Sequence, residues 1–297
     1  MNTGQLVEAA KSAQLSSDFR GLEHAARRLA TRYRSDGEAR GLGDAYAYLG
    51  AARIGQGDAP GARSAFERSR KWLERTRDSM GVVRALNGLA VAALDIDLDA
   101  VAARRHLEAA LPIARRAAGK ERHWLGIALG NLSELQRFEG DYVGAIASAR
   151  EAFSIVQEHQ DDRRAAWQLM NIAHCRLLLN DRRSAVQSME AARKYLSNDD
   201  RDPRMVAWYF DMWFIVAAGL NDWENAARLL GFADMFRAKN KLVRLPLLLP
   251  WIAPMIARLE RKLPGETRVA LTSEAGAFSI HEAYELAEHL RLLHRAL

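Results

Sequence analysis

The chain has one cysteine, Cys175, in 297 residues. No intrachain disulfide can form, and a thiolate metal cluster is excluded. A reducing, cytoplasmic location fits that usage. Proline is scarce: of 7 residues, only Pro60, Pro112 and Pro203 precede position 245. Alternating runs of β-branched residues are missing too, so nothing reads as a strand. No apolar run approaches the roughly 18–20 residues of a membrane span, and the mean hydropathy is −0.25, so no membrane helix is expected. The start, "MNTGQLVEAAKSAQ", lacks the basic and long apolar regions of a secretory signal. A Walker motif is absent: "AGKERHW" at Ala118–Trp124 has the Gly-Lys, but neither the earlier glycine nor the following Ser or Thr.

What remains is rich in Ala, Leu, Arg and Glu, and 49% of the residues are hydrophobic, enough for a large core. The formal charge is +6, but 43 basic residues are interspersed with 37 acids. That mixture reads as a solvated helical surface ahead of a nucleic-acid face. The Arg-rich stretches "RSRKWLERTR" at Arg68–Arg77 and "ARRH" at Ala103–His106 show no aromatic stacking platform.

The chain repeats itself. Asp18, Asp58, Asp99, Asp141, Asp181 and Asp222 stand 40, 41, 42, 40 and 41 residues apart. Four residues after each comes Leu22, Ala62, Ala103, Ala145, Ala185 or Ala226; four further on, Ala26, Phe66, Leu107, Ala149, Met189 or Leu230. A fixed period in this range signals an array of structural repeats. The residue before each Asp is Ser17, Gly57, Leu98, Gly140, Asn180 or Asn221. Gly and Asn suit the left-handed conformation that closes a helix, and Asp then caps the next one. Each unit therefore reads as helix A, a tight turn and helix B, with small residues on B permitting close packing.

Helix A carries a large-then-small pair: Leu49-Gly50, Leu89-Ala90, Leu132-Ser133 and Ile172-Ala173; the fifth unit departs with Trp213-Phe214. With "AYLGAARIGQGDAPGARSAFERS" at Ala47–Ser69 as the best match, residues Gln5–Lys241 resemble the tetratricopeptide repeat. The period here, about 41 residues, exceeds that family's 34 by about two helical turns. Longer units of this kind resemble those of MalT-like transcription regulators and peptide-binding quorum-sensing regulators. "NAARLLGFADMFRAKN" at Asn225–Asn240 and "GAFSIHEAYELAEHL" at Gly276–Leu290 resemble the closing segments of repeat domains in bacterial signal-transduction ATPases and LuxR-type regulators.

The expected fold is all-α: a right-handed α-solenoid of six helical hairpins over residues 1–241, closed by a helical cap over 242–297. In the cap, prolines at 246, 250, 254 and 264 leave a short connector and a helix over Trp251–Lys262. Ser279 and Glu282 form a capping box that opens a helix over Ile280–Arg295. Its inward stripe is Ala283, Tyr284, Ala287, Leu290 and Leu293. Covering the last apolar face is one role for this segment; dimerisation through it is the other.

The family resemblance places helix A along a concave groove. Carrying its positions across puts Asn87, Asn131, Glu134, Arg137, Trp167, Met170, Asn171, His174, Trp208 and Asp211 on or near that surface. Asn131 and Asn171 occupy equivalent places in adjacent units. Each amide offers a donor and an acceptor for an extended peptide backbone; the alternative is a hydrogen bond between repeats. His281, Glu285 and His289 share a helix face at four-residue spacing, suited to a metal or to a solvated polar face. Cys175 beside His174 reads as a buried structural thiol. The resemblance implies a non-catalytic sensor or interaction module that needs no cofactor and binds a peptide, protein segment or small ligand. An oligomerising scaffold, possible as a homodimer through the convex face or C-terminal helices, is the alternative.

Overall fold

The computed structural model describes residues 1–196 and 202–293. It is all-α and solenoid-like, with successive helices packed on their neighbours and no strand among the described residues. The chain divides into two compact units. The first comprises Met1–Glu139 with Leu245–Leu247, and the second Gly140–Arg244 with Leu248–Leu297. The division falls inside the stretch that the 41-residue period reads as one uninterrupted array.

The first unit holds α1 (Thr3–Leu15), α2 (Phe19–Ser35), α3 (Ala39–Gly55), α4 (Ala59–Arg75), α5 (Ser79–Val91), α6 (Ala100–Ala114) and α7 (His123–Phe138). The second holds α8 (Tyr142–Glu158), α9 (Asp162–Leu178), α10 (Arg182–Arg193), α11 (Pro203–Gly219), α12 (Trp223–Asn240), α13 (Leu249–Lys262), α14 (Gly265–Gly276) and α15 (Ile280–Leu293).

All six aspartates of the repeat are N-caps. Each accepts a hydrogen bond from the backbone N–H three residues on, at 2.9–3.4 Å. All six preceding residues, including Ser17 and Leu98, are left-handed, with φ from 56° to 89°. The same device also starts A helices. Gly37, Arg77 and Gln160 are left-handed, Asp78, Asp161 and Asp202 cap α5, α9 and α11 through their side chains, and Glu38 stands at the cap of α3 without such a bond. The chain thus reverses about every 20 residues, and four of those nine left-handed turns, at Ser17, Arg77, Leu98 and Gln160, carry no Gly or Asn to announce them. Between α6 and α7 a 3-10 turn at Gly119–Arg122 takes its place.

Packing explains the small residues. Phe66 of α4 lies where a Cβ on Gly50 of α3 or Gly88 of α5 would collide with its ring. Leu73, two turns further along the same stripe, does the same for Gly43 and Gly81. A large B-helix side chain therefore sits between two A helices whose backbones can approach only because they lack side chains there. Ser69, fully buried, donates its hydroxyl to the Gly43 carbonyl at 2.8 Å. Between units of the repeat the arginines are paired: Arg53 with Glu23 at 2.7 Å, Arg40 with Asp78 at 2.8 Å, and Arg63 with Asp97. Arg70 pairs with Glu67 and Glu74, and Arg75 lies over Trp72. The window Ser79–Ile96 has the length and apolar composition of a membrane span, but 61% of it is buried inside the structure. It is the core helix α5 with its π-helical extension Ala92–Ile96.

In the second unit α11 is buried almost all round, and Tyr209, Phe210, Trp213 and Phe214 form the centre of the core. Ser279 and Glu282 exchange the bonds of the expected capping box at 2.7 and 3.3 Å. Ala283, Tyr284, Ala287 and Leu290 are buried in that core; the side chain of Leu293, and residues 294–297, lie outside the described residues. Helix α14 stands outside every element expected from the sequence; it buries only Leu271 and Ala275 and so shows little amphipathic pattern. What α14 needs is on α12: a Cβ at Gly231 would collide with the Thr272 backbone. The glycine of "RLLGFAD" is the point where α12 and α14 meet backbone to backbone.

Three outcomes follow. Asp141→Ala should cost about 0.5–2 kcal/mol in denaturant melts, with hydrogen exchange quickening first at the start of α8. Gly231→Ala should cost about 1–3 kcal/mol or more, because backbone cannot yield as a side chain can; an unchanged melting temperature would count against the α12–α14 contact. The third concerns acid. The Gly61 N–H holds the Asp58 carboxyl below its ordinary 3.8, and the Ser184 hydroxyl and N–H do the same for Asp181. Their folded-state values lie below the unfolded ones. The stabilisation is therefore complete above about pH 4 and is lost as pH falls through the lowered values. Asp58→Asn keeps the acceptor and removes the titration, so its melting temperature should fall less steeply than the wild type's between about pH 4 and 2.

Candidate functional site

The first unit contains Asn87, Asn131, Glu134 and Arg137 of the groove residues. Asn131, half-buried, donates its amide N–H to Asn87 Oδ1 at 3.0 Å. This is the inter-repeat hydrogen bond that stood as the alternative to peptide binding. Asn87, Glu134 and Arg137 are buried, Arg137 to 1% exposure. Beside them the π-helical turn at the end of α5 carries a buried carboxylate, Asp95, which the repeat pattern does not single out. Asp95, Asn131 and Glu134 line a crevice with Ala90, Val91, Leu94, Ala103 and Leu107; its empty volume is about 180 Å³, its open mouth included. A π-helical turn inserts one extra residue into the helix and is frequent at functional sites. Above this level a ladder rises through successive A helices: Asp44 pairs with Arg84, whose guanidinium lies 5.7 Å from the Trp124 ring.

The second unit contains Trp167, Met170, Asn171, His174, Trp208 and Asp211. Met170 is core. Trp167, Asn171 and His174 fall four and three residues apart on α9, one stripe of the helix. At one end Trp167 packs on Trp208 of α11, ring centroids 4.4 Å apart, and both rings are half-buried. Arg204 lies over the Trp208 ring at 5.6 Å. At the other end His174 meets Trp251 of α13 edge-on at 4.9 Å. Between them, Asn171 is 3% exposed. Its Nδ2 and the Gln168 Oε1 one turn earlier are sealed from solvent and have no hydrogen-bond partner among the described residues. An unpaired buried donor costs about 1–3 kcal/mol. Gln168 and Trp251 join the site only through tertiary packing; their spacing offered no signal.

Asp211 is used otherwise. It is fully buried and accepts from both Nη atoms of Arg237, with one bond at 3.0 Å, and from Arg244 at 2.9 Å. Arg244 reaches Asp234 as well, at 2.7 Å. Burial pulls the Arg237 guanidinium below its ordinary value, and Asp211 opposes that. One carboxylate thus ties α11 to the end of α12 and to the segment that follows. Cys175 is buried. His281 and Glu285 are exposed and 3.3 Å apart, and among the described residues no three His, Cys, Asp or Glu gather as metal ligands.

No family model matches the chain, and no curated protein matches it. Among solved structures, the crystal structure of BtubC (BKLC) from P. vanneervenii is similar to it, with a TM-score of 0.53 at 21% identity. The match covers 80% of this chain and 92% of that one. The likeness is one of fold and supports a helical-repeat architecture.

Asp211→Ala would leave two arginines without their shared counter-ion. Removing one partner of a buried pair costs about 3–5 kcal/mol, so this variant should melt far lower than Asn171→Ala, whose Nδ2 has no partner to lose among the described residues. Equal losses would contradict the roles drawn here.

Proposed function

We propose that this chain is a non-catalytic interaction module of the tetratricopeptide kind that takes an extended peptide or protein segment along A-helix faces of its second unit. The observation that carries the reading is the row Trp208, Trp167, Asn171, His174 and Trp251. It combines two half-exposed rings tilted against each other with a sealed amide donor that nothing among the described residues satisfies. Rigid aromatic rings supply contact area at low entropic cost and are typical binding anchors. A main-chain carbonyl delivered beside them would satisfy Asn171 Nδ2, and a main-chain N–H would satisfy Gln168 Oε1. Together they match one peptide group, and a purely apolar ligand would match neither. The resemblance to MalT-like and LuxR-type regulators makes bacterial signalling or transcription control the natural setting.

The test begins with a peptide array probed with the full-length chain, followed by titration of the best binder against variants. Trp208→Ala should weaken binding by about 2 kcal/mol or more, and Asn171→Ala by about 0.5–1.5 kcal/mol. If the triple variant Trp167→Ala, Asn171→Ala, Trp208→Ala keeps its helical circular dichroism and its full affinity, the row is not the site.

A further inference from the structure

The basic charge of the first unit collects at one edge. Because the chain reverses at each turn, α2, α4 and α6 run parallel. Their C-terminal ends, with the connections into α3, α5 and α7, therefore share one edge of the unit. Arg40 at the first connection reaches Asp78 at the second, at 2.8 Å. Helix α5, which starts at the second, packs on α7, which starts at the third. Residues 32–40, 71–81 and 111–122 hold ten Lys and Arg against five Asp and Glu.

Pairing inside the protein uses only part of this charge. Arg32 pairs with Asp36 at 3.1 Å, Arg40 pairs with Asp78, and Arg115 and Arg122 have partners of their own. Arg34, Lys71, Arg75, Arg77, Arg116 and Lys120 are exposed and have no carboxylate partner among the described residues. Only Glu38 and Glu121 stand unpaired against them at this edge. The dipole at a helix C-terminus accounts for Arg34 and Arg75, in or beside the last turns of α2 and α4. It does not account for Arg77 and Lys120, which lie in the connections beyond the helix ends. A nucleic acid strand would also look for rings on which to stack its bases. The half-buried rings here are already taken: Arg75 lies over Trp72 and Arg84 over Trp124, and Tyr33 packs against Gly41.

We propose that this edge is a docking surface for an acidic segment of a partner protein, a run of Asp and Glu in extended backbone. Its carboxylates supply the counter-ions that the six cations lack. Exposed complementary charges of this kind speed and orient association, so the contact is reversible and sensitive to salt. The edge lies wholly within the first unit and does not rest on the tryptophan row of the second. Either site can fail without the other.

The probe is a fluorescein-labelled twelve-residue peptide of alternating Glu and Ser, titrated by anisotropy against the full-length chain at about 0.1 M salt. Beside it run the same peptide with Gln for every Glu, and single- and double-stranded oligonucleotides of similar charge. The acidic peptide should bind and the Gln peptide should not. Binding should vanish at about 1 M salt, where the screening length falls from about 10 Å to about 3 Å. The double variant Lys71→Glu, Arg116→Glu should bind about tenfold more weakly, or worse. Arg20→Glu, Arg105→Glu makes the same change in net charge at exposed residues in the N-terminal halves of α2 and α6, and should stay within about twofold of wild type. Equal losses in the two double variants reduce the effect to net charge and overturn the proposal, as does an acidic peptide that does not bind. Tighter binding of either oligonucleotide, lost in the same variant, makes the partner a nucleic acid instead. Peptide binding that survives Lys71→Glu, Arg116→Glu and falls with Trp208→Ala moves the site to the tryptophan row. If the reversal variant loses its helical circular dichroism, Lys71→Gln, Arg116→Gln decides: a loss of about threefold supports the edge, and none overturns it.

Discussion

One local interaction sets the rhythm of this protein: an aspartate closing over the N-terminus of a helix, directly after a residue in left-handed conformation. The left-handed residue stops one helix, and the aspartate satisfies an N–H that the next helix leaves free. The turn needs no more than three residues, so the two helices emerge side by side and antiparallel. Every other feature of the fold assumes that placement. Phe66 and Leu73 find glycines on both neighbouring A helices because the turns bring those helices into register. The inter-repeat pairs Arg40–Asp78 and Arg84–Asp44 join residues 38 and 40 apart, about the repeat spacing, for the same reason. Surface pairs of this kind contribute little individually; their consequence is that much of the basic charge is already occupied.

Where the rhythm breaks, chemistry collects. The π-helical turn after α5 puts Asp95 into a crevice instead of continuing the helix. The connector after α12 leaves the repeat altogether, and Arg244 ties its start to Asp211 and Asp234. In the second unit α11 replaces the small residue of the A-helix code with Phe214 and fills the core with aromatic rings. The row from Trp208 to Trp251 is the edge of that aromatic mass, with an amide caught inside it. A polar group left unpaired in a packed interior is costly, which is why Asn171 is the residue on which the functional reading turns.

Six of the turns, the all-α class and the capping box of the last helix were legible in the amino-acid sequence. All rest on contacts between residues three or four positions apart: Asp18 to Gly21, Asp141 to Gly144, Ser279 to Glu282. Such contacts leave a pattern of fixed spacing in the chain itself. Turns with Arg77 or Gln160 in the left-handed position were hidden, because those residue types favour no such conformation and only the completed packing holds them there. Helix α14 was hidden because it rests on α12 through backbone at Gly231 and carries almost no apolar stripe.

The groove residues divide in the same way. The resemblance to the repeat family, carried across position by position, implied that Asn87 and Asn131, and Trp167, Asn171 and His174, lie on A-helix faces. Only the tertiary structure decided their employment. Asn131 gives its amide to Asn87, 44 residues away; Asp211 is claimed by arginines 26 and 33 residues away; Asn171 Nδ2 finds no partner among the described residues. A local cap is written in neighbouring letters. The partner of a buried amide or carboxylate is whatever the folded chain brings within 3 Å.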